Sequence, residues 1–162
     1  MPHSPKTMAM RALEARGVAY EAVYYEVTEH LAAAEVAERV GLPPAQVFKT
    51  LVALPEATPG RALLALVPAD QELDLKKLAS AAGIKKLRMA PHKEAERLTG
   101  LQKGGISALA LLDRDWPVFV DETAILFERI WVSAGRVGAG VILAVDDLVR
   151  LLGAQLADLG TG

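Results

Sequence analysis

The feature that most constrains the fold is an apolar run from Val47 to Leu54 that contains a single charge, Lys49. In an extended chain, alternate side chains point to opposite faces, and both faces of this run are apolar. Such a pattern is typical of a strand that is covered on both sides. The run therefore predicts a buried strand, and it leaves Lys49 without an obvious solvated face.

Two explanations of Lys49 remain open from the strand alone. Its aliphatic stem can follow apolar surface while the ammonium group reaches water. Alternatively, the ammonium group points into a polar cleft. There, a bound phosphate or a polarised ester carbonyl would supply the partner that a buried cation needs.

Cap and turn residues divide the rest of the chain into short elements. Thr7 is a favourable N-cap for a first helix that ends at about Arg16, and the runs 47–54 and 62–67 flank a Pro/Gly turn, which favours a β-hairpin. We predict further helices at 32–40, 74–82, 91–99 and 146–152, and further strands at 20–27, 86–89, 109–112, 118–120, 129–132 and 141–143. Because helices and strands do not alternate regularly, we predict an α+β domain with a mixed sheet.

The composition restricts the class of protein. The chain has 162 residues, of which 52% are hydrophobic, so it can bury the core of one domain, and the absence of cysteine excludes disulfides and thiolate chemistry. We find neither a membrane-length apolar run nor a secretory signal, and we expect a cytoplasmic protein that does not enter a membrane. A net charge of −2 argues against a large RNA footprint but permits a small one at an RNA terminus.

Two loops combine flexible backbone with a nearby cation. The first, Gly104-Gly105-Ile106-Ser107, follows Lys103, and paired glycines can bring N–H groups close to a ligand oxygen. The second is Ser133-Ala134-Gly135-Arg136-Val137-Gly138, after a predicted strand. Taken alone, each loop is better explained as an ordinary turn: one that leads into a strand for the first, and a hairpin turn for the second.

Other catalytic arrangements find little support. His3, His30 and His92 lie in a tail, before a helix and at a helix start, where we expect surface residues, so no Ser-His-Asp set is formed. No His or carboxylate pair has convincing ligand spacing, and we expect neither a metal nor a cofactor. Asp74 and Asp121 are interpreted as caps at element edges.

Four segments, in order along the chain, resemble the YbaK/prolyl-tRNA synthetase-associated editing domain family. They are Val47-Phe48-Lys49-Thr50-Leu51, Leu73-Asp74-Leu75-Lys76-Lys77-Leu78, Arg97-Leu98-Thr99-Gly100 with Gly104-Gly105-Ile106-Ser107, and Ser133-Ala134-Gly135-Arg136. Each match is weak by itself, but the ordered set spans nearly the whole chain. The similarity is greatest to the YbaK branch, which is associated with deacylation of Cys-tRNA(Pro).

The resemblance implies one editing domain over residues 1–162, with a mostly antiparallel, partly barrel-like sheet flanked by helices. It implies a trans-editing aminoacyl-tRNA hydrolase whose partners are the acceptor end of aminoacyl-tRNA and prolyl-tRNA synthetase. The implied catalytic residues are Lys49, which anchors the terminal phosphate or ribose, and Gly104 and Gly105, whose amides hold the ester carbonyl. The implied substrate-binding residues are Tyr25, Thr50, Ile106, Ser107 and Ser133, and Tyr24 competes with Tyr25 for its position.

Two positions depart from the family pattern. Ala108 stands where the glycine loop usually continues with Pro, and Gly140 stands where the YbaK branch often has an acidic residue. Three alternatives therefore stay open: an Ala-tRNA(Pro) deacylase of the same fold, a non-catalytic module that binds tRNA or a synthetase, and a hydrolase of small esters. The attacking group, water or the thiol of a cysteinyl substrate, is equally open.

Overall fold

The predicted hairpin forms the middle of one sheet in the computed structural model, which describes residues 6–27, 31–57 and 61–161. Strand β2 (Val47–Pro55) pairs antiparallel with β3 (Leu63–Pro68), from Phe48 opposite Pro68 to Ala53 opposite Leu63. Every residue of β3 is buried, and no residue of β2 is exposed. The prediction of a strand covered on both faces is thus confirmed.

In the described part of the chain, six further strands extend this hairpin into a mixed sheet. They are β1 (Glu21–Tyr24), β4 (Leu87–Met89), β5 (Val118–Asp121), β6 (Arg129–Arg136), β7 (Ala139–Ala144) and β8 (Gln155–Ala157). The strand order is β1-β7-β6-β2-β3-β5-β8, with β4 also paired to β2. The pairs β2–β6, β3–β5 and β5–β8 are parallel and the others antiparallel. Within the described residues β1 and β8 remain as opposite edges, so the sheet is open rather than a closed barrel.

Among the described residues, five short helices flank the sheet. They are α1 (Met8–Ala15), α2 (Ala33–Val40), α3 (Leu75–Ala82), α4 (His92–Thr99) and α5 (Val145–Leu152). The Thr7 hydroxyl accepts the N–H of Met10 at the start of α1, and the Asp74 carboxylate accepts the N–H groups of Lys76 and Lys77 at the start of α3. Among the described residues, no helix is long and apolar enough to cross a bilayer.

The packing of β2 explains the position of its lysine. On one face of the strand, Val47 belongs to a cluster with residues of α2 and β6, whereas Ala53 belongs to a second cluster with residues of α3 and β5. Lys49 lies between the two clusters on that face, where the apolar packing is interrupted. The apolar pattern therefore marks a gap between two cores rather than a cation inside one of them.

The structure corrects several predicted boundaries. Residues Leu109–Leu111 form a 3₁₀ turn, so the predicted strand at 109–112 is wrong: the side chain and the carbonyl of Ser107 both accept the N–H of Ala110, which starts a helical turn. The predicted strand at 20–27 is shorter, Glu21–Tyr24, and β8 was not predicted. His3, His30 and the second half of the predicted turn at 55–60 lie outside the described residues.

The cap interpretation of Asp121 is confirmed, with an added role. Its carboxylate accepts the N–H of Thr123 and also the N–H groups of Leu159 and Gly160, at 2.8 and 3.1 Å. This buried side chain, 2% exposed, therefore ties the end of the chain to β5.

Candidate functional site

The candidate site lies where β2 separates from β6. These two parallel strands pair only at Val47 with Trp131 and Phe48 with Val132, and β2 pairs with β4 only from Ala53 onward. The carbonyl of Val52 accepts the N–H of Ala90 on this side of β2. Because main-chain groups alternate in direction along a strand, the N–H and C=O of Thr50 face the same side as those of Val52, into the interval between the two pairings.

A cavity of about 230 Å³ fills this interval. Its apolar wall includes Leu31, Val36, Val47, Phe48, Val52 and Trp131, and its polar wall includes Tyr25, Lys49, Thr50, His92, Lys103, Gly104 and Ser133. It is smaller than the pockets of roughly 300–1,000 Å³ that hold drug-sized ligands. Its size therefore favours the terminal group of a larger substrate.

The charge of the cavity has one sign. Lys49 and Lys103 line it, and no Asp or Glu among the described residues does so. Burial lowers the pKa of Lys49 below its ordinary value, and the negative charges of Glu72 and Asp70 oppose that shift. Within the described residues Lys49 forms no ion pair, so its ammonium group is available to an anionic ligand.

The two glycines of the first loop have different environments. Gly104 lines the cavity at a φ of +88°, and its N–H has no acceptor in the described part of the chain. The N–H of Gly105 donates to the carbonyl of Gln102 at 2.8 Å. A Cβ at Gly105 would lie 2.9 Å from the backbone nitrogen of Val137, so close backbone packing, rather than a ligand, requires glycine there.

The next two residues of this loop, Ile106 and Ser107, also differ in whether they line the cavity. Ile106 lines the cavity and, within the described residues, its N–H has no acceptor. Ser107 is fully buried outside the lining, where its hydroxyl accepts the N–H of Ala110 at 3.3 Å. Of the predicted site residues, Gly105 and Ser107 are thus placed behind the cavity wall, and both have structural hydrogen bonds.

The remaining predicted residues all meet at the cavity. Tyr25 lines it, and burial raises the pKa of its phenol, whereas Tyr24 is 43% exposed and its hydroxyl donates to the sulfur of Met10. The structure therefore favours Tyr25 over Tyr24 for the predicted position. Ser133 lines the cavity, and its hydroxyl accepts the N–H of Gly135 at 3.4 Å. The hydroxyl of Thr50 is enclosed and has no partner among the described residues.

Trp131 is the main residue that the sequence analysis missed. It is 4% exposed, it lines the cavity, and its ring packs edge-on against Tyr25 at a centroid distance of 6.0 Å. Its position two residues before Ser133 on the same strand was a usable signal, because such residues share a face. His92 is exposed, as expected for a surface residue, but it also lines the cavity.

The chain is similar to several known proteins. The model of the aminoacyl-tRNA editing domain matches residues 28–151. A proposed Cys-tRNA(Pro)/Cys-tRNA(Cys) deacylase of Enterococcus faecalis, EbsC, is 38% identical over 157 residues, which cover 96% of this chain and 94% of that protein.

Solved structures show the same similarity. A proposed trans-editing enzyme for prolyl-tRNA synthetase is 32% identical, with a TM-score of 0.81 over 98% of this chain and all of that one. A hypothetical protein, APE2540, is 26% identical, with a TM-score of 0.84 over 94% of this chain and 99% of that one.

Proposed function

The chain belongs to the aminoacyl-tRNA editing domain family, and we propose that it hydrolyses the ester of mischarged tRNA in trans, with Cys-tRNA(Pro) as its principal substrate. The observation that carries the site assignment is that one small cavity is lined both by a partly desolvated cation, Lys49, and by the amide of Gly104, neither of which has a partner among the described residues. The choice of substrate is supported by the similarity to EbsC.

In this proposal the acceptor end of the tRNA enters the cavity with its aminoacyl ester. Lys49 binds the terminal phosphate or ribose, since a cation without an ion-pair partner gains most from an anionic ligand. The amides of Gly104 and Ile106 donate to the ester carbonyl and stabilise its oxygen as negative charge develops; one such donor is typically worth about 3 kcal/mol.

The chemical step follows from these contacts. A nucleophile, water or the thiol of a cysteinyl group, adds to the carbonyl carbon, and the bond to the ribose oxygen then breaks. The leaving oxygen takes the proton that the nucleophile loses and becomes the free hydroxyl of the tRNA. Attack by water gives the free amino acid directly, whereas attack by the thiol gives a cyclic thioester that water then opens. Catalysis rests on position and electrostatics, because the ester is already more reactive than an amide.

The proposed partners follow the same chemistry. With a net charge of −2 the chain has little general attraction for polyanions, so we propose that prolyl-tRNA synthetase brings it to the tRNA in the cytoplasm. The similarity to a proposed trans-editing enzyme for that synthetase supports this partner. Deacylation measured with and without the synthetase tests it: we expect a lower KM in its presence.

A substrate panel tests the proposed reaction. Purified protein is incubated with Cys-, Ala- and Ser-charged tRNA(Pro) and with the cognate Cys-, Ala- and Ser-tRNAs. We expect faster hydrolysis of Cys-tRNA(Pro) than of Ala-tRNA(Pro). The opposite order would identify an alanyl-tRNA deacylase, and binding without hydrolysis would identify a non-catalytic module. Hydrolysis of free aminoacyl esters at the same rate would remove tRNA from the proposal.

A further inference from the structure

Trp131 of β6, in the buried part of the cavity wall, forms an unusual pair with Gly140 of β7. A Cβ placed on Gly140 would lie 2.1 Å from Cζ2 and 2.4 Å from Nε1 of the indole. Non-bonded atoms do not approach this closely, so the indole fills the volume that a side chain at position 140 would occupy. Gly140 is buried and pairs in register with Ser133, which lines the cavity.

The indole nitrogen next to Gly140 lacks a hydrogen-bond acceptor among the described residues, and its N–H is enclosed. The indole is held in place by the Tyr25 ring and by the apolar cluster that includes Val36, Val47 and Ile142. A buried donor without an acceptor is destabilising, and a ligand atom that accepts its hydrogen bond recovers that loss.

The orientation of a tRNA end in the cavity follows from exposure. His92, Lys103 and Gly104 are exposed and mark an open side, whereas Trp131 belongs to the buried part of the wall, as do Phe48 and Ser133. The rest of the tRNA has to leave through the open side. The proposed function places the phosphate or ribose at Lys49 and the ester carbonyl at Gly104, so the buried wall that includes Trp131 is left for the aminoacyl group.

We infer that Trp131, seated on Gly140, recognises the aminoacyl side chain and selects small side chains that carry a sulfur or oxygen acceptor. This inference rests on the proposed function and names a specificity-determining residue for it. Cysteinyl and seryl groups meet both requirements. A 2-aminobutyryl group has a methyl in place of the thiol and meets only the requirement of size, while bulkier side chains meet the indole itself.

Binding of amide analogues tests the inference without depending on hydrolysis. The ligands are adenosines that carry a cysteinyl, seryl or 2-aminobutyryl group through a 3′-amide, and their affinities are measured by calorimetry. For the parent protein we expect the seryl analogue to bind about three- to tenfold more tightly than the 2-aminobutyryl analogue, the range of an ordinary hydrogen bond. We expect a smaller preference in the same direction for the cysteinyl analogue, because a thiol is a weaker acceptor.

The matched variant replaces only the N–H of the Trp131 indole. The chain has two tryptophans, so Trp116→Phe first makes Trp131 the single tryptophan of the protein. Benzothienylalanine is then incorporated in place of tryptophan, which keeps the bicyclic ring and substitutes sulfur for the N–H. We expect this protein to bind all three analogues with similar affinity. The same preference in both proteins would overturn the inference, and so would a parent protein that binds none of the analogues.

Deacylation of Cys-tRNA(Pro) by the Trp116→Phe protein is measured in parallel. If the Trp116→Phe protein hydrolyses Cys-tRNA(Pro) but binds the three analogues equally well, only the role of the indole is contradicted. A preference that is present without any hydrolysis contradicts the proposed function alone. The two claims can therefore fail separately.

Discussion

The N–H of Gly105 donates to the carbonyl of Gln102 at 2.8 Å, and this hydrogen bond distinguishes Gly105 from the adjacent Gly104. The sequence pattern had predicted the same role for both glycines. The amide of Gly104 lines the cavity and has no acceptor among the described residues, whereas Gly105 packs the loop against the β6–β7 turn.

We therefore expect Gly105→Ala to lower stability. The added methyl group would approach the backbone of Arg136 and Val137 at 2.9–3.0 Å, and overpacking of this kind costs about 1–3 kcal/mol. For a chain of this size that loss corresponds to a decrease in Tm of roughly 2–10 °C, measured by thermal denaturation. An unchanged Tm would show that the loop can move away from the turn, and the structural role of Gly105 would then be wrong.

Thr50→Val should separate stability from activity. The hydroxyl of Thr50 is enclosed without a partner among the described residues, so its replacement by an isosteric methyl removes a desolvated polar group. We expect an equal or higher Tm together with a higher KM for aminoacyl-tRNA. A clear loss of stability, about 1 kcal/mol or more, would indicate that the hydroxyl has a partner in the folded protein.

The pH dependence of stability should report the burial of Lys49. Its pKa is lowered by desolvation in the folded protein, so the unfolded chain binds more protons between that lowered pKa and the ordinary value of 10.5. Stability then rises with pH across that window, and Lys49→Met removes this contribution. We expect the free energy of unfolding, measured with urea, to be higher for Lys49→Met than for the parent protein at pH 8. This difference between the two proteins should be smaller at pH 10.

A matched control for this experiment is Lys85→Met, which removes an exposed lysine between α3 and β4. Its stability relative to the parent protein should not change with pH in the same manner. If both variants follow the same curve, the desolvation of Lys49 is not what the measurement reports.

The salt dependence of binding should be shallow. Two lysines line the cavity, and each phosphate of a single strand contributes about −0.7 to the slope of log affinity against log salt, so two contacts give about −1.4. Binding of a non-hydrolysable acceptor minihelix at several salt concentrations measures the slope. A slope steeper than about −4 would require an extended basic interface and contradict a site limited to the acceptor end.

The sequence predicted the hairpin, all five helices and most strands, because short apolar runs with clear caps and turns determine these elements locally. It did not predict β8, whose three residues lack an apolar pattern and depend on pairing with β5. It also assigned 109–112 to a strand from apolar composition, although the hydroxyl and the carbonyl of Ser107 both accept the N–H of Ala110, which favours a helical turn.

The candidate site was predicted in the same uneven way. Lys49 was identified because it is the one charge in an apolar run, and this signal can be recognised without the structure. Trp131 was not identified, because a tryptophan in a strand is usually a core residue. Its contact with Gly140 depends on the β6–β7 register, which the sequence alone does not give. The different environments of Gly104 and Gly105 likewise depend on contacts with Gln102 and Val137 that lie beyond local sequence.

The most direct test of the site is deacylation of Cys-tRNA(Pro) by the parent protein, Lys49→Met and Lys85→Met. Methionine keeps the apolar stem at position 49 and removes only the cation. We expect kcat/KM to fall by roughly 100-fold or more in Lys49→Met, as for loss of one electrostatic contact in an ester-cleaving site, with an unchanged fold, while Lys85→Met keeps the parent rate. A Lys49→Met protein that hydrolyses Cys-tRNA(Pro) at the parent rate would contradict the assignment of this cavity as the active site.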